Sequence, residues 1–290
     1  MEETRKAVRK MQDYISEHIN EDISIEDLAA TVSFSPWYVR KLFIKHLDMT
    51  PAVYVRRLKL SKSALRLRDE NCQILDIAME MGFGSVDGYQ RAFRREFGCN
   101  PKEYSTSPVP IWLFTPNLII DTERKMSDMS EIRNVFIQVI EKPARKVIIK
   151  RGIKATEYFS YCEEVGCDVW GLLTSIKSIS GEPVCLWLPE KLRKPVTNEY
   201  VQGVEVEPDY NGTVPEGFEM IDLPQATYLL FRGEPFEEEK YVEAINEIWD
   251  AEKKYNPEFL GYEWDKDNPR IQLEPIGERG YIELVPVKKK

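Results

Sequence analysis

Histidine is scarce in this chain: two in 290 residues, His18 and His46. That excludes a Ser–His or Cys–His catalytic pair, and zinc held by histidine, from everything beyond residue 46. Long apolar runs are missing too. None approaches the roughly 20 residues a membrane-crossing helix needs, so no membrane contact is expected. The first residues, MEETRKAVRKMQDY, are charged and lack the apolar stretch of a secretory signal. Five cysteines (Cys72, Cys99, Cys162, Cys167, Cys185) form no C-x-x-C pair. This suits reduced thiols in a cytoplasm better than a disulfide framework or a zinc centre. No metal and no cofactor is expected. Positive charge is also in deficit, at net −9, a balance that taken alone speaks against a nucleic-acid partner.

The average conceals a segregation. Residues 1–105 carry 17 Lys/Arg against 16 Asp/Glu, net +1, whereas residues 106–290 carry 23 against 33, net −10. Between Arg40 and Arg68 stand nine cations (Arg40, Lys41, Lys45, Arg56, Arg57, Lys59, Lys62, Arg66, Arg68) and one anion, Asp48. A local basic stripe is what phosphate binding requires; a solvated helix face is the alternative reading of such a run. With 42% apolar and 31% charged residues, the composition is that of a globular protein long enough for two domains.

The first part repeats itself. Ile25, Asp27, Leu28, Ala29 and Phe34 pair with Ile74, Asp76, Ile77, Ala78 and Phe83. After one extra residue, Ser35, Phe43, Pro51 and Tyr54 pair with Ser85, Phe93, Pro101 and Tyr104. Each unit reads as helix, tight turn, helix. Ser35 is an N-cap with Pro36 at the first helical position, where the missing N–H costs nothing. In the second unit Gly82 supplies the turn, and Ser85 caps a helix with Asp87 in its first turn.

The second helix of each unit has two faces. Val39, Leu42, Phe43 and Leu47, and in the repeat Tyr89, Ala92, Phe93 and Phe97, recur at helical spacing and read as core. Trp37, Arg40, Lys41 and Lys45, and likewise Asp87, Gln90, Arg91, Arg94 and Arg95, fall on the other side. Arg and Gln are the side chains that make bidentate contacts to base edges, and two such faces at equivalent repeat positions favour groove readers over plain solvated surface. Residues 53–69 between the units, without Gly or Pro, read as a basic amphipathic helix that fixes the readers' separation. Successive major grooves on one side of a duplex lie about 34 Å apart.

These stretches, SPWYVRKLFIKHLDMTPAVYVRRLKLSKSALRL and ILDIAMEMGFGSVDGYQRAFRREFGCNPKEY, resemble the AraC/XylS family of bacterial transcription regulators over roughly residues 8–105. The resemblance implies that the helices starting near Ser35 and Ser85 are recognition helices. It assigns Trp37, Arg40 and Lys41, and Asp87, Gly88, Gln90 and Arg91, to double-stranded promoter DNA, with Arg94 and Arg95 meeting phosphates. RNA polymerase is the further partner implied. Two departures stand out. Ser33 occupies a turn position where members often have Gly, implying a slightly different turn, and Val86 and Gly88 offer little to a base. Most members carry this domain at the C-terminus; here it comes first, as in a smaller subgroup whose extra domain follows it.

The reading divides the chain into a DNA-binding domain at 1–105, a proline-rich linker at 106–134, whose patch Ile111–Phe114 should dock on a domain, and a second domain at 135–290. Beyond residue 135 the pattern is a strand over 135–152, a helix over about 155–179 and two strands, then strand, helix and two strands again. The fold class expected is therefore multidomain: an all-α tandem helix-turn-helix domain followed by an α+β domain of two β-α-β-β repeats. FRGEPFEEEKYVEAINEIW and RIQLEPIGERGYIELVPVKKK resemble the GyrI-like effector-binding domain. That family encloses an aromatic-lined cleft, often with a glutamate at its floor.

Period-two geometry puts Tyr281 and Glu283 on one strand face and Ile282 and Leu284 on the other. If Ile and Leu pack under the helices, Glu274, Tyr281 and Glu283 face the cleft. By resemblance Glu274 and Glu283 match the family's acidic positions, although Pro275 and Ile276 break its E-x-Y pattern. Trp170, Trp187, Tyr228, Phe231 and Trp264 are candidate walls, each with ordinary core packing as the alternative. A carboxylate beside aromatic faces favours a cationic, lipophilic small molecule. Three functions follow: a cytoplasmic transcription regulator controlled by that effector, and not an enzyme; a hydrolase of small lipophilic compounds in which a Glu works alone as acid or base; or a ligand-free protein-interaction module.

Overall fold

The computed structural model describes residues 2–116 and 134–290. Residues 117–133, most of the expected linker, lie outside the described residues. The chain divides into two compact units, Met1–Glu123 and Arg124–Lys290: a helical region followed by a sheet-rich one.

Among its described residues the first unit has seven helices: α1 Glu2–Glu17, α2 Ile25–Val32, α3 Pro36–Leu47, α4 Pro51–Asp69, α5 Ile74–Glu80, α6 Val86–Phe97 and α7 Pro101–Thr106. Their starts are written in the sequence. Ser24, Ser35, Thr50, Ser85 and Asn100 each accept a backbone N–H at an N-terminus, and Pro36, Pro51 and Pro101 take early positions where no donor is needed. Each such cap stabilises its helix by about 1 kcal/mol. Two cores result. One gathers Val8, Met11, Ile15, Leu28, Val39 and Phe43, the other Ile77, Ala78, Tyr89, Phe93 and Tyr104.

Helix α4 serves both cores, with Tyr54 and Leu58 in the first and Leu60, Ala64 and Leu67 in the second. The expectation of an amphipathic helix is corrected here. Lys59, Ser61 and Ser63 are buried as well, because α4 is packed from more than one side, and each finds a polar partner. Lys59 Nζ donates to Glu21 O at 2.8 Å, Ser61 Oγ accepts the Phe114 N–H at 2.7 Å, and Ser63 Oγ accepts the Tyr89 hydroxyl at 3.0 Å. The segment 111–114 lies along this helix. Ile111 and Leu113 join the second core, and Phe114 meets Tyr54 edge-on at 5.2 Å.

Ser33 adopts φ 56° where the repeat has Gly82 at φ 73°. The turn is therefore left-handed in both units, and the different turn expected from the missing glycine does not occur. Ser33 accepts the strain, and its backbone N–H bonds to Ala30 O at 3.4 Å.

Among the described residues of the second unit nine strands form one antiparallel sheet: β1 Phe136–Lys142, β2 Arg145–Arg151, β3 Val184–Trp187, β4 Tyr200–Val206, β5 Glu219–Leu223, β6 Ala226–Arg232, β7 Tyr262–Trp264, β8 Arg270–Gln272 and β9 Ile282–Lys289. The order is β1-β6-β9-β8-β3-β4-β2-β5, with β7 also on β9. Helices α8 Tyr158–Val165, α9 Val169–Ser175 and α10 Tyr241–Lys254 complete the unit.

Three expectations are corrected. Residues 135–152 are two strands, since Pro143 lacks the N–H to continue a ladder. The helix expected over 155–179 is two, because Gly166 at φ 106° ends α8. Strands β5 and β7 are additions to the expected set.

The sheet must curl. In a flat sheet β1 and β2 would lie six spacings, about 29 Å, apart, yet Lys142 and Arg145 are three Cα steps apart, at most about 11 Å. Pro224-Gln225 joins β5 to β6 under the same constraint. The curl brings Arg145 of β2 to Tyr228 of β6, Nη2 to Oη at 3.2 Å, although four strands separate them in the sheet. Arg145 also pairs with Glu205 at 2.5 Å, and Lys142 with Glu205 at 2.6 Å. This ion cluster sits beside the apolar set Val147, Ile149, Val184, Leu186, Val201 and Ile271 on the face away from the helices. The opposite face carries α8, α9 and α10.

Candidate functional site

In the helical unit, α3 and α6 are built alike from the inside outward. Phe43 and Phe93 are fully buried, and each meets the tyrosine of the following helix, Tyr54 at 5.6 Å and Tyr104 at 5.8 Å. The Ser35 hydroxyl accepts the Tyr38 N–H at 3.3 Å, and Ser85 that of Gly88 at 3.1 Å. With backs and N-termini fixed, the opposite faces are left to solvent. Trp37 is 70% exposed, a large apolar surface with no core role, and Lys41 Nζ lies 5.3 Å from its ring centre. Arg40, Lys41 and Lys45 on α3, and Asp87, Arg91, Arg94 and Arg95 on α6, are exposed; Gln90 and Gly88 are half-buried.

Three other cations of the basic run are paired. Arg57 pairs with Glu96 at 2.5 Å, Arg66 with Glu70 at 3.0 Å and with Glu80, and Arg68 with Asp69 at 2.7 Å. Within the basic run the exposed cations, Arg40, Lys41 and Lys45, therefore all lie on α3.

In the second unit a cleft of about 200 Å³ opens on the helix-bearing side, lined by Thr156, Glu157, Trp187, Trp249, Glu252, Lys253 and Arg270. Behind two of the lining residues, Trp249 and Arg270, is Glu283, whose side chain has no exposed surface. It accepts from the Trp249 indole Nε1 at 2.7 Å, from Arg270 Nε at 2.5 Å and from the Tyr281 hydroxyl. The Arg270 guanidinium lies 4.8 Å from the Trp187 ring centre and 5.7 Å from that of Trp249, and pairs with Glu252 at 2.9 Å. One guanidinium thus answers two carboxyl groups. Burial, and then the Glu283 charge, push the Glu252 carboxyl up to about 9 against the pull of Arg270. Burial and the same charge raise the Tyr281 phenol.

The expected cleft residues separate. Trp187 lines the cleft, whereas Glu283 lies behind that lining, bonded to Trp249 and Arg270, and Tyr281 lies behind Glu283. Trp170 packs beside Tyr200, Tyr161 and Cys185 on the same side of the sheet. Phe231 is core under α10, next to Tyr255 at 5.6 Å, and Trp264 packs in that same cluster. Tyr228 is on the far face with Arg145. Glu274 is exposed beyond β8, its N–H donating to Glu182 at 3.2 Å and its carbonyl accepting from Arg279 at 2.7 Å.

The premise behind the choice is inverted. Ile282 and Leu284 belong to the cluster on the far face, and it is Glu283 that lies beneath α10. Grouping by parity holds for Tyr281 and Glu283, but a helix covers their side because Arg270 and Trp249 satisfy the carboxylate there.

Arg270, Trp249 and Glu252 are the residues that sequence reasoning passes over. A signal existed: Ile245, Ile248, Trp249 and Glu252 fall on one stripe of α10, so a carboxyl stands where an apolar side chain is expected.

A family model described as a helix-turn-helix domain matches residues 28–107. The regulatory protein SoxS of Salmonella typhimurium is 32% identical over 100 residues, which is 34% of this chain and 94% of SoxS. This chain belongs to the AraC family of helix-turn-helix transcription regulators. The right origin-binding protein of Escherichia coli K12 is 32% identical over 101 residues, 35% of each chain. Among solved structures, a probable AraC family transcriptional regulator from Rhodopseudomonas palustris is 26% identical, with 35% of this chain and 95% of that one covered and a TM-score of 0.34. The DNA-binding domain of AdpA in complex with a target DNA is 22% identical, covering 33% and 86%, with a TM-score of 0.32. These AraC-type likenesses each cover about a third of the chain. Among the described residues no helix is long and apolar enough to cross a membrane.

Proposed function

We propose that the chain is a cytoplasmic, sequence-specific transcription regulator that reads two neighbouring major grooves of promoter DNA with α3 and α6 and is controlled by a small molecule in the cleft of its second unit. The observation that carries the first half is the pair of equivalent helices, each capped by serine, locked from behind by a buried phenylalanine, and presenting exposed Trp, Arg and Lys on α3 and exposed Arg beside a half-buried Gln on α6. Arg40, Lys41 and Trp37, and Gln90, Arg91, Asp87 and Gly88, are the base-facing candidates; Lys45, Arg94 and Arg95 are placed to meet phosphate. Helix α4, about 28 Å long, is packed into both cores and keeps the two readers at one spacing. RNA polymerase is the partner through which such a regulator acts.

For the second unit we read two β-α-β-β repeats, β2-α8/α9-β3-β4 and β6-α10-β8-β9, joined where β3 meets β8, in the manner of a GyrI-like domain. Supporting the reading is the symmetry of the order β6-β9-β8-β3-β4-β2. The cleft lies at that join, between the start of α8 and α10. The hydrolase alternative is weaker. Glu283 already accepts from three donors and is fully enclosed, which suits an anchoring carboxylate better than a general base.

The test is a footprint of the full chain on its promoter, with and without a ligand found by melting-shift screening. Protection over two adjacent turns, changed by that ligand, is the expected result. Protection of a single turn would remove the tandem-reader assignment, and ligand-blind binding and transcription would remove the sensing half.

A further inference from the structure

Helix α4 and the segment 111–114 are, among the described residues, the only stretches that contribute to both cores of the helical unit. Ile111 and Leu113 enter the core of the second repeat, and Phe114 packs against that of the first. The segment meets one stripe of α4, made by Tyr54, Arg57 and Ser61 at helical spacing. Ser61 Oγ fixes its backbone by accepting the Phe114 N–H at 2.7 Å. The Phe114 ring meets two side chains, and each leads to a different reader. Its edge contact with Tyr54, at 5.2 Å between ring centres, continues as the 5.6 Å contact of Tyr54 with Phe43 of α3. Its centre also lies 4.7 Å from the Arg57 guanidinium, which pairs with Glu96 of α6 at 2.5 Å. Two residues on from Arg57, and so on the far side of the helix, Lys59 Nζ donates to Glu21 O at 2.8 Å and lies against the Gly82 turn, 3.1 Å from where a Cβ there would stand. Helix α4 is thus clasped to both repeats from opposite sides.

We propose that Phe114 is a positioning residue for DNA binding: through Tyr54 and Arg57 it holds α3 and α6 at one separation and rotation, and so sets the half-site spacing that the chain accepts. The inference rests on the reading of α3 and α6 as tandem groove readers. A bare helix joining two separate cores leaves a hinge, since long helices bend gently. One base pair more or less between half-sites moves a groove by about 3.4 Å and by about a tenth of a turn, a displacement small enough for such a hinge to absorb. Phe114 removes this freedom, because a shift of α3 or of α6 against α4 draws Tyr54 or Arg57 off the same ring. The gain is in preorganisation: two readers already set at the right span bind as one, whereas loosely joined readers lose effective concentration.

The experiment uses the full chain and a duplex selected by that chain from a random-sequence pool, together with the same duplex lengthened and shortened by one base pair between the two protected turns. Fluorescence anisotropy gives the three affinities. The unaltered chain should favour the selected spacing by roughly tenfold or more. Phe114→Ala should lose most of that preference, by weakening on the selected duplex and hardly at all on the other two. Glu96→Gln, which leaves every cation in place and frees the α6 arm, should move the same way. Phe114→Tyr keeps the ring and should retain the preference; Phe114→Leu keeps apolar bulk without the ring and should not. Melting midpoints report folding, and if Phe114→Ala does not fold, Phe114→Leu and Glu96→Gln decide. A uniform loss on all three duplexes, or an unchanged preference, in these variants overturns the positioning role and leaves the tandem readers standing. An unaltered chain that is indifferent to spacing, or protects a single turn, overturns the tandem reading and this inference with it.

Discussion

Asp48 and Gly98 close equivalent helices, α3 and α6, in the same left-handed backbone conformation, at φ 54° and φ 76°. Only one of them is a glycine, so the repeat contains its own control. A side chain in this region costs roughly 1–2 kcal/mol, and less for Asp, which can bond locally. An exposed carboxylate against the negative end of the helix dipole adds roughly 0.3–1 kcal/mol. The greater freedom of glycine in the unfolded chain offsets about 0.4–1 kcal/mol. Asp48→Gly should therefore stabilise the helical unit by about 1 kcal/mol and raise its Tm by about 4 °C or more. Asp48→Asn removes the charge alone and should recover about half of that. The reverse change, Gly98→Asp, should cost about 1–2 kcal/mol through backbone and dipole only, since a Cβ there meets no atom within 4 Å. Thermal unfolding followed by far-ultraviolet circular dichroism measures all three. If Asp48→Gly lowers the midpoint, or Asp48→Asn gives the whole gain, left-handed strain is not what separates the two repeats.

Arg40→Ala and Arg91→Ala should each weaken binding to the cognate duplex by about 1–3 kcal/mol and relax specificity at one position, read by fluorescence anisotropy; equal losses on unrelated duplexes would reassign them to phosphate. Glu205→Gln keeps the shape of the buried cluster but leaves Arg145 and Lys142 uncompensated, and should cost about 3–5 kcal/mol in the second unit by urea unfolding. The charges of Lys142 and Arg145 outweigh burial and hold Glu205 below its ordinary 4.5. Its contribution is thus present above that pH and lost as pH falls through the depressed value. Glu252 has the opposite sign: its stabilising effect is complete below its ordinary 4.5 and is lost as pH rises towards about 9. The unliganded second unit should lose up to about 1.4 kcal/mol per pH unit across that window, and Glu252→Gln should flatten the slope. An unflattened slope would mean the burden lies on another group.

What the sequence made legible follows from how far apart the cooperating residues stand. Caps, turns and apolar stripes are local, so α2, α3, α5 and α6 could be read from the paired Ile25 and Ile74 segments, Ser35, Gly82 and Ser85, and the repeat doubled each signal. Strand parity is local as well, and it grouped Tyr281 with Glu283. Which side of the strand a helix covers is not local. It depends on Trp249, 34 residues earlier, reaching Glu283, and a rule that places Ile and Leu beneath helices cannot anticipate a buried carboxylate held by an arginine. Tyr228 illustrates the same limit, since its partner Arg145 is 83 residues away and meets it only through the curl of the sheet. Ser33 shows a different one: a residue type predicts a preference, and neighbouring contacts imposed the left-handed turn regardless.

Strand β9, residues 282–289, lies between β6 and β8 and also carries β7, so an interior strand of the sheet is its latest-emerging segment. During synthesis the helical unit, rich in short-range contacts, is free to assemble early. The sheet has no such option: until residues 282–289 leave the ribosome, β6 and β8 face each other across a gap. A truncation that spares α3 and α6 but removes this strand should therefore leave the helical unit folded, abolish the cleft, and expose sticky sheet edges.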